Sequence, residues 1–204
     1  MNNALFEKLT NMVRHSEKNV TMHTETFCTD ENKSLGINDD SLMGVIVSHT
    51  SGIVIDNWIR VIGQQHKERK GIFEYNKQKN SLTEGMLLVA YDIVGGIFAV
   101  NLNRFKENEL SVWYFAPDTL EWECLDLTYP QFITWLINGD TDTFYKNMRW
   151  HSWKNDCQNV SFENVIQIYP FLWAKECMIE TASKKVISFE EMSQINFEFA
   201  QKFT

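Results

Sequence analysis

The 204-residue sequence lacks the features that mark exported and membrane proteins. No apolar run approaches the roughly 20 residues of a membrane span. Glu7 and Lys8 interrupt the only apolar patch at the amino terminus, so a signal peptide is not predicted. The few cysteines show no close pairing and no CxxC spacing, at Cys28, Cys124, Cys157 and Cys177. We therefore predict a protein of the reducing cytoplasm, without a membrane partner.

Glycine and proline are also scarce, with 9 and 3 residues respectively, which argues against a long flexible linker. Hydrophobic residues make up 44% of the chain and aromatic residues 13%, enough to bury a substantial core. We therefore expect one folded domain spanning residues 1–204. Its parts are an amino-terminal helix and irregular segment (1–41), a sheet with its following helices (42–149) and a carboxy-terminal extension (150–204).

Positive charge is in short supply. The chain has 19 basic and 27 acidic residues, a formal charge of −8. Nucleic-acid binding requires a positive footprint, so nucleic acid is not expected as a partner. The negative balance favours a basic protein partner, although many cytoplasmic proteins are acidic without having one.

Catalytic motifs are missing as well. There is no G-x-S-x-G nucleophile elbow, and the five histidines are scattered without an HExxH pattern. Cys124 lies in a predicted strand and is interpreted as a small core residue. We therefore predict no catalytic residues, no metal site and no cofactor.

The stretch LLVAYDIVGGIFAVN, from Leu87 to Asn101, contains two apolar runs joined by paired glycines and one carboxylate, Asp92. A phosphate-binding loop would open into a helix with a Lys or a Ser/Thr, and neither follows here. Residues that tolerate positive backbone angles favour a hairpin turn instead. We predict a corner between two central strands.

The surrounding pattern predicts an α+β domain with a mostly antiparallel sheet and flanking helices. Residues 86–127 are predicted to form consecutive antiparallel strands, followed by a helix that starts near Tyr129 behind a T-x-x-Q capping box. The β-branched runs VIV, GIVID and WIRVIG between Leu42 and Gly63 predict two or three further strands. An amphipathic helix is predicted at each end of the chain, and one strand around residues 20–27.

Several carboxylates fall at predicted turns and strand ends. Asp92, Asp118, Glu121 and Glu123 could share one rim of the sheet, and Trp122 lies among them. Asp is common at such corners because its side chain bonds nearby backbone amides. Trp is also enriched at binding hot spots, so these five residues are our predicted binding residues. An alternative is a hydrolytic or small-ligand site that uses Asp92 and Asp118.

Five segments carry a family resemblance: GIVIDNWIRVIG, LLVAYDIVGGIFAVN, VWYFAPDTLEWECLDLTYPQFITWLINGD, FYKNMRWHSW and YPFLWAKE. In this order they resemble a bacterial family of domains of unknown function, from about residue 42 to the carboxy terminus.

The strand, glycine hairpin, strand and aromatic-rich helix also resemble the SUKH superfamily of α+β binding modules. Many of those domains are immunity proteins that neutralise a bacterial toxin. The resemblance implies non-catalytic protein recognition, with a toxin or another basic protein as partner, and supplies no catalytic residues. The tail from Trp150 onward departs from the SUKH pattern.

Overall fold

The computed structural model describes residues 3–24, 31–67 and 69–203. Helices in this part of the chain are α1 (Asn3–Arg14), α2 (Glu31–Leu35), α3 (Leu42–His49), α4 (Ile72–Asn76), α5 (Tyr129–Asn138), α6 (Thr141–Phe144), α7 (Trp153–Asp156) and α8 (Phe189–Phe203). The strands are β1 (Val20–Thr24), β2 (Thr50–Ile55), β3 (Ile59–Ile62), β4 (Met86–Asp92), β5 (Ile97–Asn101), β6 (Ser111–Phe115), β7 (Trp122–Thr128), β8 (Asn164–Tyr169) and β9 (Ser183–Ser188).

Strands β1 to β7 form one seven-stranded sheet in chain order, and every neighbouring pair is antiparallel. Each strand therefore lies directly beside the one before it, although α2 and α3 separate β1 from β2 and α4 separates β3 from β4. Strands β8 and β9 form a separate hairpin. The predicted α+β domain with a mostly antiparallel sheet and flanking helices is confirmed.

The corner in the central hairpin is as predicted. Every residue of β4 and β5 is buried, which fits central strands covered on both faces. The Asp92 amide donates to the Gly96 carbonyl at 2.9 Å, and Gly95 has a φ of +92°. Glycine adopts that backbone conformation without steric cost.

The predicted meander through β6 and β7 is also confirmed, and α5 follows at Tyr129. The Thr128 amide donates to the side chain of Gln131 at 2.9 Å in the predicted capping box. Gly139 ends this helix, and Asp140 caps α6 by accepting from the Thr143 amide at 2.9 Å. Local sequence signals thus determine both ends of α5.

Of the two or three strands predicted between Leu42 and Gly63, two are observed, β2 and β3, whereas the run VIV is not a strand. It lies in α3, where Ser41 caps the helix by accepting from the Gly44 amide at 3.0 Å. The helix begins in contact with the preceding loop, because a Cβ on Gly44 would lie 2.2 Å from the Asn38 carbonyl oxygen. Four successive buried residues of the helix, 44–47, give it no amphipathic period, so the run resembles a buried strand.

The strand predicted around residues 20–27 is observed as β1, Val20–Thr24. The end of that prediction, at Phe27, lies outside the described residues, as does Cys28. Helix α1 packs against α3, α5 and β1. The amino-terminal segment is therefore part of the same packed structure as the sheet.

The carboxy-terminal extension docks on the central corner. The Ile166 amide of β8 donates to the Ile93 carbonyl at 2.6 Å, and Phe189, the first residue of α8, stacks on Tyr91 at 4.0 Å between ring centroids. Strand β9 was not anticipated from the sequence. Its pairing with β8 gives the extension a sheet of its own, packed against α8.

Candidate functional site

Asp92 lies at the centre of a buried hydrogen-bond network. One oxygen, Oδ1, accepts from the amides of Val94 at 3.0 Å and Gly96 at 2.8 Å. The other, Oδ2, accepts from the hydroxyls of Tyr114 at 2.7 Å and Tyr145 at 3.1 Å. Its side chain is wholly buried, so in this conformation it contacts neither solvent nor a macromolecular partner. The arrangement ties the corner to β6 and to the segment after α6.

Burial determines the protonation behaviour of this network. It raises the pKa of Asp92, and the hydrogen bonds from Tyr114, Gly96, Val94 and Tyr145 partly oppose that rise. Burial together with the nearby carboxylate raises the pKa values of both tyrosines well above their usual value. The tyrosines therefore stay protonated and remain donors to Asp92 throughout the physiological range.

The raised pKa of Asp92 predicts a pH dependence of stability. A carboxyl with a higher pKa in the folded state binds its proton more tightly there, so folding stability falls as pH rises from about 4, the unfolded value, to the folded value. Urea denaturation should show the unfolding free energy of the wild type falling over this window relative to Asp92→Asn. A constant difference between the two proteins from pH 4 to pH 8 would contradict this.

Three of the predicted binding residues lie together at the turn between β6 and β7. We call Asp118, Glu121 and Glu123 the acidic rim. Glu121 and Glu123 are exposed and Asp118 is half-buried. The Ala116 amide donates to the Glu121 carbonyl at 3.0 Å and closes the turn that presents them.

The carboxylates of the acidic rim repel one another. Partial burial raises the pKa of Glu123 first, the charges of Asp118 and Glu121 raise it further, and a hydrogen bond with Thr119 opposes the rise. No described Lys or Arg forms an ion pair with any of the three. The rim is therefore a negative patch without a neutralising partner among the described side chains.

Trp122 lies between the acidic-rim residues in sequence, but its side chain contacts neighbouring parts of the fold. Its indole N–H donates to the Leu82 carbonyl at 3.0 Å, and its ring packs on Phe115 at 5.4 Å. It is half-buried rather than a fully exposed ring. Its role as a binding residue stays a prediction, as do those of Asp92 and the acidic rim.

Two arginines in the interior were not anticipated from the sequence. Arg60 is 1% exposed and donates to three backbone carbonyls, those of Asn57 at 3.0 Å, Trp58 at 3.2 Å and Val160 at 3.4 Å. Burial lowers its pKa. The only signal in the sequence is an arginine in the middle of the apolar run WIRVIG, a position that otherwise predicts a core side chain.

The second interior arginine, Arg149, is enclosed by aromatic rings. Its guanidinium lies 4.2 Å from the ring centroid of Trp153, 5.0 Å from that of Trp58 and 5.1 Å from that of Tyr145. It also pairs with the exposed carboxylate of Asp142. These cation–π contacts join the segment after α6 to the β2–β3 corner.

Residues 3–24, 31–67 and 69–203 contain no group of three or more His, Cys, Asp or Glu side chains suited to hold a metal ion. None of the helices in these ranges combines the length and the apolar character needed to span a membrane.

The fold and these sites define a single α+β domain built on an antiparallel meander, and comparison assigns it to a family. A model described as "Protein of unknown function DUF2625" matches residues 2–192. The chain belongs to this family, which confirms the resemblance to a bacterial family of domains of unknown function. The match also includes residues 2–41, which lie before the start of the resemblance predicted from the sequence, and it ends at residue 192.

Two bacterial relatives cover most of the chain. A protein of Escherichia coli (strain K12), described as "Putative uncharacterized protein YbfG", is 33% identical over 195 residues, which is 92% of this chain and 89% of that protein. A Haemophilus influenzae protein, described as "Uncharacterized protein", is 31% identical over 170 residues, 80% of this chain and 75% of that protein. These matches do not show the resemblance to the SUKH superfamily.

Proposed function

We propose that this chain is a non-catalytic protein-binding module whose acidic rim binds a basic protein. The observation that supports it most directly is the clustering of three carboxylates without a described cationic partner. Like charges held this close are relieved when positive charge approaches, so a basic surface is the complementary partner. The formal charge of −8 also attracts a basic protein over longer distances.

The partner class that we propose is a bacterial toxin, or another basic protein, neutralised by an immunity-type protein in the cytoplasm. The strand–hairpin–strand–helix order that resembles the SUKH superfamily supports this choice. A complementary charged surface mainly accelerates association and excludes wrong partners, as an immunity protein requires.

We do not propose the hydrolytic or small-ligand alternative that uses Asp92 and Asp118. Asp92 is wholly buried and engaged by four donors, so it offers no oxygen to a substrate. Asp118 is half-buried at the turn of the acidic rim. A general base needs hydrogen-bond reach to a substrate proton, and Asp92 does not have it in this conformation.

Charge reversal at the acidic rim tests the proposal. In the triple variant, Asp118, Glu121 and Glu123 are changed to Lys. We expect the amount of basic protein that it captures from the native bacterial lysate to be about tenfold lower than for the wild type. Raising the salt concentration should weaken capture by the wild type, because the screening length then falls below its value of about 8 to 10 Å at 0.10 to 0.15 M salt. Quantitative mass spectrometry of the bound fraction provides the measurement.

The matched control changes three exposed glutamates elsewhere, Glu7, Glu176 and Glu191, to Lys, so that the net charge is the same. It should retain most of the captured basic proteins. Equal losses in the two variants would mean that only net charge matters. If both variants retain the captured basic proteins equally, or if the wild type captures only acidic proteins, the acidic rim is not the binding surface.

A further inference from the structure

A groove of about 380 Å³ runs between α4, with the loop that follows it, and α8. Its floor is apolar and aromatic, formed by Tyr75, Leu88, Phe189 and Phe197. Carboxamide and hydroxyl side chains also line the groove, with Gln78, Asn80, Gln194 and Gln201 exposed on the rims, Ser193 half-buried and Thr83 buried. The volume lies toward the lower end of the range of about 300 to 1,000 Å³ that small-molecule sites occupy.

Contacts beneath the groove hold its floor in place. The Tyr75 hydroxyl donates to Glu163 at 2.6 Å and lies 3.3 Å from the Tyr91 hydroxyl. Phe189 stacks on Tyr91 at 4.0 Å. The aromatic floor is thus built on the central strand β4, so its rings are already positioned before a ligand arrives.

Two contacts between exposed side chains cross from one wall of the groove to the other. The Lys70 ammonium pairs with Glu190 at 2.5 Å, and the Gln201 amide donates to the Ser81 hydroxyl at 2.9 Å. On one rim, Asn80 accepts from the amides of Leu82 and Thr83 in a closed turn. These contacts join two sides that come from distant parts of the chain.

Two lysines, Lys70 and Lys79, and three glutamates, Glu74, Glu190 and Glu198, line the groove, so its net charge is only about −1. Lys70 is paired with Glu190 and Glu74 with Lys77, each at 2.5 Å. The Lys79 ammonium donates to the Met86 carbonyl at 2.6 Å and to Asn76, and burial lowers its pKa. A phosphate ligand would find no uncommitted cluster of cations here, and a polyamine would meet both lysines.

An aromatic floor beneath neutral donors and acceptors matches a ligand that has an apolar face and many hydroxyl groups. A sugar ring presents C–H groups on its faces and hydroxyls around its edge, which carboxamides and hydroxyls can bind. We propose that this groove binds a neutral saccharide of about one or two rings. The proposal does not rest on the acidic rim.

Titration of the isotope-labelled full chain with cellobiose, maltose, lactose and diacetylchitobiose tests this proposal by amide chemical-shift mapping. We expect at least one disaccharide to shift amides confined to residues 74–83 and 189–201. The dissociation constant should be on the order of 1 mM, because an open groove covers only part of the ligand.

Ser193→Trp should abolish these shifts, because the indole would fill the groove from the α8 wall. Thr181→Trp places the same ring on an exposed turn and should leave the shifts unchanged. If none of the four sugars shifts these amides, the proposal is overturned. It is also overturned if binding survives Ser193→Trp in a folded protein, or if spermidine or phosphate shifts the same amides and none of the sugars does.

Discussion

Replacing Asp92 with alanine is expected to lower the free energy of unfolding by about 4 kcal/mol, because the change leaves several buried donors without an acceptor. The carboxylate accepts from two backbone amides and two tyrosine hydroxyls, and all of its surroundings are core. Neither amide can turn toward water, since Val94 and Gly96 lie in the buried corner. Urea denaturation at pH 7 measures the loss.

Conservative changes around the network should cost less. Tyr114→Phe and Tyr145→Phe each remove one donor and keep the ring, so each should cost about 1 to 2 kcal/mol. Asp118→Asn, in the acidic rim, should cost no more than about 1 kcal/mol. If Asp92→Ala were no more destabilising than Asp118→Asn, the network would not be what holds the corner.

The role of Asp92 could be predicted from sequence only in part. A carboxylate followed by two glycines predicts a turn, and the turn is observed. The partners of its second oxygen, Tyr114 and Tyr145, come from later elements, and no local pattern relates them to residue 92. The same contacts require glycine at position 96, because a Cβ there would lie 2.2 Å from the Tyr114 hydroxyl oxygen and 2.3 Å from Asp92 Oδ2.

The helix α3 shows where apolar pattern alone is ambiguous. Its sequence LMGVIVSH is rich in β-branched residues, which favour strands. The helix is buried on several sides, so it shows no polar face from which its period could be read. Tertiary packing and the cap at Ser41 determine the outcome, whereas amphipathic α1 and α8 were predictable.

The acidic rim could be predicted from the sequence, whereas the groove could not. The rim residues span only positions 118–123, at the turn and the start of β7, so the sequence alone groups the three carboxylates. The groove joins α4 to α8, which lie far apart along the chain. Neither segment carries a motif for saccharide recognition, and only the three-dimensional structure brings the aromatic floor and the carboxamide rims together.

A second large effect is expected at Arg60. Arg60→Met keeps much of the side-chain volume but removes the donors to the carbonyls of Asn57, Trp58 and Val160, which join the β2–β3 corner to the segment after α7. We expect a loss of about 3 kcal/mol in the free energy of unfolding, because the change removes three hydrogen bonds from a charged donor, although the Trp58 carbonyl keeps the Ile93 amide as a donor at 2.8 Å. Urea denaturation gives the global value, and amide exchange across residues 157–162 reports the local loosening.

An opposing contribution comes from removing a buried charge, which apolar residues of similar volume can replace without loss of stability. Burial already lowers the pKa of Arg60, which means that the charged form is disfavoured in the core. The three carbonyl contacts decide between these effects, because methionine cannot replace them. The control is Arg14→Met at the exposed end of α1, which should change stability by less than about 0.5 kcal/mol. A stabilised Arg60→Met protein with unchanged exchange at 157–162 would show that these carbonyls do not need the guanidinium.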